Sequence, residues 1–162
     1  MTSPSTQPPW VLVALGANLG DPESQILRAM DRLDQLVGAP VLRSRLYRSE
    51  PLDCPPGSPW FVNAGVAFAA PSRLNPESLL KELQSIERDF GRVPKTVLNE
   101  ARPLDLDLIA WGGERRNTPF LVLPHPRTPL RRFVVEPLAD VLPDFVLPGQ
   151  SKTLVELLVE FE

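Results

Sequence analysis

The segment Arg102-Pro103-Leu104-Asp105-Leu106-Asp107 sets two carboxylates two positions apart among leucines. In a strand alternate residues share a face, so Leu104, Leu106 and Leu108 point one way and Asp105 and Asp107 the other, their Cα atoms about 6–7 Å apart. Two carboxylates on one face repel each other and resist burial. A hard divalent cation resolves both difficulties, and magnesium takes one or two carboxylates while phosphate and water complete its shell. A bare pair with this spacing is more often only a solvated acidic strand face, so its surroundings decide. Basic residues gather around it: Arg92 and Lys95 in the polar stretch upstream, Arg102 just before it, and Arg131 and Arg132 beyond His125. Arginine suits bidentate recognition of phosphate. Trp60 to Ala69 offers a second surface. Trp60, Val62, Ala64, Val66 and Phe68 form its core face, while Phe61, Asn63 and Gly65 present a flat ring, an amide that donates and accepts, and open space. That face suits a planar, hydrogen-bonding heterocycle. Glu87, at the edge of a helical apolar stripe, reads equally as a surface charge or as a group that orients an arginine.

These residues need elements to hold them. Trp10 to Leu15 is a short apolar run that reads as a buried strand, and Gly16 to Gly20 as a tight loop after it. Asp21-Pro22-Glu23 starts a helix with a capping acid and a first-position proline. Ile26, Met30, Leu33 and Val37 give it one apolar face, and Gly38 ends it. Val41 to Arg48 reads as a second strand, residues 49–59 as a proline-studded loop, and Trp60 to Ala69 as a third strand. Asn75-Pro76-Glu77 repeats the helix-start signal. Leu79, Leu83, Ile86 and Phe90 carry the second helix, stopped at Gly91. Residues 92–101 lack apolar periodicity and are expected to close over bound substrates. Leu104 to Trp111 is the fourth strand; a short strand near 121–123, a helical stretch near 130–138 and a helix from about Thr153 follow. The order strand-helix-strand-strand-helix-strand predicts an α+β, ferredoxin-like sandwich: an antiparallel sheet with helices on one face and the ligand site on the other.

The stretch Glu100-Ala101-Arg102-Pro103-Leu104-Asp105-Leu106-Asp107 resembles the signature of the 6-hydroxymethyl-7,8-dihydropterin pyrophosphokinase family of folate biosynthesis. Further pieces carry the resemblance in order: Ala14 to Gly20, Tyr47-Arg48-Ser49, Phe61-Val62-Asn63-Ala64, Ile86-Glu87 with Gly91-Arg92, Pro124-His125-Pro126-Arg127, and Arg131-Arg132-Phe133. The resemblance implies transfer of pyrophosphate from ATP to the reduced pterin, with AMP leaving. It implies two Mg2+ ions on Asp105 and Asp107, and a pterin between Phe61 and Phe133. Asn63 would read the pterin's edge, and Ser49, Pro51, Leu52 and Asp53 would lie along it. ATP would meet Glu87, Arg92, Lys95, Arg102, His125 and Arg131, with Arg92 and Arg102 also catalytic. Asp53, Pro94, Asn99 and Pro126 depart from the residues the family's best-known members carry.

Composition narrows the alternatives. The chain has 162 residues, enough for one domain with a real core, here taken as 10–162 after a flexible tail over 1–9. With 17 basic and 20 acidic residues its net charge is −3, so bulk electrostatics give no reason to expect nucleic acid. Cys54 and His125 are the sole residues of their types, which excludes a disulfide within the chain and any multi-cysteine or multi-histidine metal cage. No apolar run reaches membrane-span length, and the start has no basic or apolar signal region. A cytoplasmic monomer acting on small molecules is the expectation. Two rivals share this outline. A pterin- or nucleotide-binding homologue without turnover has no need of the full set of aspartates and arginines. A base-stacking RNA sheet needs more than one clear aromatic on the open face.

Overall fold

The structure is a computed structural model and describes residues 8–50, 56–57, 59–91 and 103–161. Strands β1 (Trp10–Ala17), β2 (Leu42–Arg43), β3 (Tyr47–Ser49), β4 (Phe61–Ala69) and β5 (Asp105–Trp111) form one sheet in the order β2-β4-β1-β5, with β3 also on β4 and every pairing antiparallel. This is the expected ferredoxin-like α+β arrangement. Helix α1 (Pro22–Val37) starts where Asp21 accepts the Ser24 N–H and ends at Gly38, whose φ of +83° suits glycine. Helix α2 (Pro76–Asp89) starts with a reciprocal cap between Asn75 and Ser78. Both helices bury their apolar stripes on one sheet face, against Val11, Val13, Val62, Val66, Leu106 and Leu108.

The opposite face is only partly open. Helices α3 (Arg132–Val141) and α4 (Leu154–Val159) cover one part of it, packing Val135, Leu138 and Leu154 on Leu12, Ala14 and Ile109. The open space expected beside Gly65 is therefore filled. A Cβ at Gly65 would lie 2.8 Å from Leu138 Cδ2 and 3.2 Å from both Leu138 N and Pro137 C. Glycine is what lets helix and sheet approach this closely.

Local differences from the sequence reading have simple causes. β1 runs on through Gly16 and Ala17, because Gly16 is paired on both sides, with Asn63 and with Asp105. The second strand splits into β2 and β3 because the Ser44 hydroxyl accepts the Gly65 N–H at 2.8 Å, in place of a main-chain carbonyl. Trp60 is 49% exposed rather than core, since strand pairing begins at Phe61. In β5 the register against β1 shifts between Leu12 and Val13, leaving Ile109 as an extra residue. Trp111 consequently joins the core face with Leu106 and Leu108. A small hairpin, β6 (Arg116–Asn117) and β7 (Val122–Leu123), follows β5. Of the expected tail over 1–9, residues 1–7 lie outside the described residues. Pro9 is held, its carbonyl accepting the Ala70 N–H at 2.9 Å.

Candidate active site

Strand register lays out the second face, from the part beneath α3 to the open part beside it. Gly16 in central β1 lies opposite Asn63 on β4 and Asp105 on β5, and Ala14 lies opposite Gly65 and Asp107. Rows of side chains thus run from the amide to the carboxylates over a floor of glycine and alanine. Small residues in the central strand keep the floor low: nothing nearer than Asn63 Oδ1, at 3.5 Å, would meet a Cβ at Gly16, so a side chain there would project over the floor.

Two clefts meet on this surface. The first, about 520 Å³, runs from Asp105 and Asp107 past His125 and Arg131 to Leu80 and the β6–β7 hairpin. The second, about 560 Å³, is bordered by Ser49, Phe61, Asn63 and Phe133 and reaches the same aspartates. Asp105, Asp107, Arg127 and Arg131 belong to both. Each cleft is of the size that small-molecule sites have.

The segment after the hairpin brings the cations in. His125 N–H donates to the carbonyl of Ile109, the extra residue of β5, at 2.8 Å, which ties this segment to the strand bearing the aspartates. Burial lowers the pKa of His125, and the charges of Arg131 and Arg127 lower it further, while Asp105 opposes them. Arg127 N–H donates to His125 Nδ1 at 3.4 Å. A neutral ring accepting at Nδ1 carries its proton on Nε2, where it can donate to an anionic oxygen. The Arg131 guanidinium lies over the Phe133 ring, 5.5 Å from its centroid. Arg131 also begins α3, its carbonyl accepting the Val134 and Val135 N–H groups, so the positive end of that helix borders the second cleft.

Two contacts set the frame. Asn63 Nδ2 donates to Ser49 Oγ at 2.8 Å, joining two expected heterocycle contacts. Glu87 accepts the outward Leu106 N–H at 2.7 Å, so this carboxylate anchors the edge strand between the two aspartates. As a magnesium site the donor set is coherent: two carboxylates on one strand face, at a junction where a phosphate would complete the shell. Among the described residues no group of three or more acids, histidines or cysteines is arranged to hold a metal ion by itself.

Asp105, Asp107, Ser49, Phe61, Asn63, Phe133, His125 and Arg131 are thus brought together, and Glu87 stands behind the edge strand. Pro51, Leu52, Asp53, Arg92, Lys95 and Arg102, and the closing motion expected for residues 92–101, lie outside the described residues. Sequence reasoning missed Arg127 as a site residue, although it lines both clefts. Its spacing, two residues past the sole histidine and after Pro126, was the available signal. It also missed Phe120 and Phe161, which line the first and second clefts respectively.

The fold and site define a ferredoxin-like α+β protein in which two clefts share an acidic pair. The model of the family described as 7,8-dihydro-6-hydroxymethylpterin-pyrophosphokinase (HPPK) matches residues 12–143, and the chain belongs to that family. The chain is 43% identical over 149 residues to the 2-amino-4-hydroxy-6-hydroxymethyldihydropteridine pyrophosphokinase of Pseudomonas aeruginosa, covering 91% of this chain and 89% of that protein. It is 38% identical over 150 residues to the enzyme of the same name from Haemophilus influenzae, covering 92% and 91%. Among solved structures it resembles the HPPK-DHPS of Plasmodium falciparum with pteroate, with a TM-score of 0.71 and 13% identity over 99% of this chain. An HPPK-DHPS in complex with substrates superposes with a TM-score of 0.68 and 11% identity over 96% of this chain. The chain spans less than half of those two longer proteins, at 43% and 44%, and at such identities they speak for the fold alone. Among the described residues no helix is long and apolar enough to cross a membrane.

Proposed function

We propose that the chain transfers pyrophosphate from ATP to 6-hydroxymethyl-7,8-dihydropterin at the junction of the two clefts. Pyrophosphate transfer to hydroxymethyldihydropterin in folate biosynthesis is the activity of the family to which it belongs. The observation that carries the assignment to this site is the sharing of Asp105 and Asp107 by both clefts, so that two ligands meet over one acidic pair. The triphosphate lies in the first cleft against His125 Nε2, Arg131 and Arg127. The pterin lies in the second between Phe61 and Phe133, its polar edge on Asn63.

Transfer of this kind is mostly positioning and neutralisation of charge. The hydroxymethyl oxygen attacks the β-phosphorus and gives up its proton. The bond from that phosphorus to the α–β bridging oxygen breaks, and AMP departs with that oxygen. Asp105 and Asp107 would hold two magnesium ions, which would offset phosphate charge and favour ionisation of the hydroxyl. Arg131 and Arg127 oppose the charge that builds on the phosphoryl oxygens. Arg92 and Arg102 join them from the segment before β5, and Lys95 and Glu87 complete the ATP set. The protein acts as a monomer in the cytoplasm. Incubation with ATP, magnesium and the reduced hydroxymethylpterin tests the reading. AMP and the pterin diphosphate should form together in equal amounts, and AMP formed without the pterin product would refute it.

A further inference from the structure

The edge of the second cleft that carries Ser49 is a strand of three residues. Among the described residues β3 pairs only with β4, which sets Tyr47 opposite Asn63 and Ser49 opposite Phe61. Opposite residues of an antiparallel pair share a face, so Tyr47 stands on the face of the Asn63–Ser49 hydrogen bond. Leu46, one position earlier, packs into the core on the other face. So short an edge strand has little pairing of its own to hold it.

Its second attachment is polar. The Tyr47 hydroxyl donates to Asp140 Oδ2 at 2.7 Å and accepts from the Arg45 guanidinium at 2.8 Å. Arg45 also donates to Asp140, from its main-chain N–H at 3.1 Å and from its guanidinium at 3.1 and 3.3 Å. Asp140 lies in the last turn of α3, whose first turn carries Phe133. The bond from Tyr47 to Asp140 therefore joins segments 93 residues apart in the chain. Burial and the hydrogen bond to Asp140 raise the Tyr47 pKa to about 12, against the lowering effect of Arg45. The phenol thus remains a donor at neutral pH. Tyr47 itself lines neither cleft.

We propose that Tyr47 is a positioning residue for the pterin cleft, its hydroxyl tying the strand that bears Ser49 to the helix that bears Phe133. The inference rests on the pterin reading of the second cleft. One wall of that cleft carries Phe61 and Asn63, with Ser49 accepting from the amide, and the other carries Phe133. The contact of α3 with Gly65 limits how closely the walls approach. Only an attraction limits how far they part, and the Tyr47–Asp140 bond supplies one. Without it the end of α3 and the β3 edge move independently, and the slot for a flat ring loses its fixed width. ATP, held from β5 and the segment tied to Ile109, feels this much less.

Calorimetry on the full chain, with the reduced hydroxymethylpterin and with ATP and magnesium as separate probes, tests this. Tyr47→Phe keeps the ring and removes the hydroxyl. It should bind the pterin roughly 3- to 10-fold more weakly, up to the net worth of one hydrogen bond, and bind ATP as wild type does. Asp140→Ala should also weaken pterin binding, and adding Tyr47→Phe to it should cost nothing further, because the two groups act as one bond. Tyr47 is the only tyrosine, so the ultraviolet absorbance of tyrosinate reads its hydroxyl directly. At pH about 10, where an unperturbed tyrosine is half ionised, wild type should stay largely protonated and Asp140→Ala should ionise more. Wild-type pterin affinity in Tyr47→Phe overturns the proposal. So does equal weakening toward ATP, an additive loss in the double variant, or equal ionisation with and without Asp140. Asn63→Ala separates the two levels. If it weakens pterin binding while Tyr47→Phe does not, the tie alone is wrong; if neither weakens it, the second cleft is not the pterin site and the inference falls with that reading.

Discussion

Replacing Gly65 by alanine tests whether the closeness of α3 to the sheet matters to the second cleft, the proposed pterin site. The new methyl would stand 2.8 Å from Leu138 Cδ2, a contact that a rotamer change can relieve. It would also stand 3.2 Å from Leu138 N and Pro137 C, which are backbone atoms and cannot rotate away. The helix must therefore move outward by a few tenths of an ångström. Overpacking of this kind costs about 1–3 kcal/mol. Against it stands about 0.4–1 kcal/mol from the reduced freedom of the unfolded chain, since Gly65 is not at positive φ and alanine fits its backbone. The difference centres on about 1.3 kcal/mol of destabilisation, or a melting temperature lower by about 3–5 °C for a chain of this size. The functional consequence follows from what α3 carries. Phe133 and Arg132 lie in its first turn and line the second cleft, proposed to take the pterin, whereas His125 sits on a segment tied separately to Ile109. Pterin affinity should fall several-fold and ATP affinity much less. Urea unfolding followed by circular dichroism measures the first effect and calorimetry the second. A Gly65→Ala protein with unchanged unfolding midpoint and unchanged pterin affinity would refute the argument that this contact sets the helix.

Asp105→Ala and Asp107→Ala should each lower turnover by about 100-fold or more while keeping the circular dichroism spectrum, because charge stabilisation at the phosphoryl group is lost; full activity in either removes that aspartate from the mechanism. Asn63→Ala should weaken pterin binding about 10-fold or more, since the heterocycle's polar edge loses its partner, and should spare ATP; titration of each ligand separately decides it. Arg92→Ala and Arg102→Ala should reduce kcat more than they raise the Kd of either substrate, as expected of contacts made chiefly in the transition state; a loss confined to ground-state affinity would assign them to binding. Asp140 gives a pH test of how α3 is held. Burial pushes its carboxyl up, but hydrogen bonds from Arg45 and Tyr47 outweigh burial and leave the pKa below the usual 3.8. The unfolded chain then takes up that proton at higher pH than the folded one, so the contribution is complete above about pH 4 and disappears as pH falls through the folded pKa. Thermal melts of wild type and Asp140→Asn should differ at neutral pH and converge in acid; a constant difference would show that ionisation of Asp140 is irrelevant.

Much of this site is local and therefore readable from one dimension. Alternation put Asp105 with Asp107 on one face of their strand, and Phe61 with Asn63 on one face of theirs, because a strand's period of two follows from backbone geometry whatever surrounds it. Asp21-Pro22 and Asn75-Pro76 announced both long helices, since a cap is satisfied by atoms three residues away. What the tertiary structure decided is whatever depends on residues far apart in the chain. That Asn63, Gly16 and Asp105 form one row depends on the antiparallel register of three strands. The extra residue Ile109 changes that register, and its carbonyl holds His125 beside the aspartates. The partial covering of the second face depends on α3 settling against Gly65, where sequence showed only the absence of a side chain. Arg127 joins both clefts because the chain after β7 crosses the edge of β5, a path that no local periodicity encodes. The residue types of the proposed site were legible because each would act through its own functional groups. Their convergence was not, because it is set by pairings and packing across more than a hundred residues of chain.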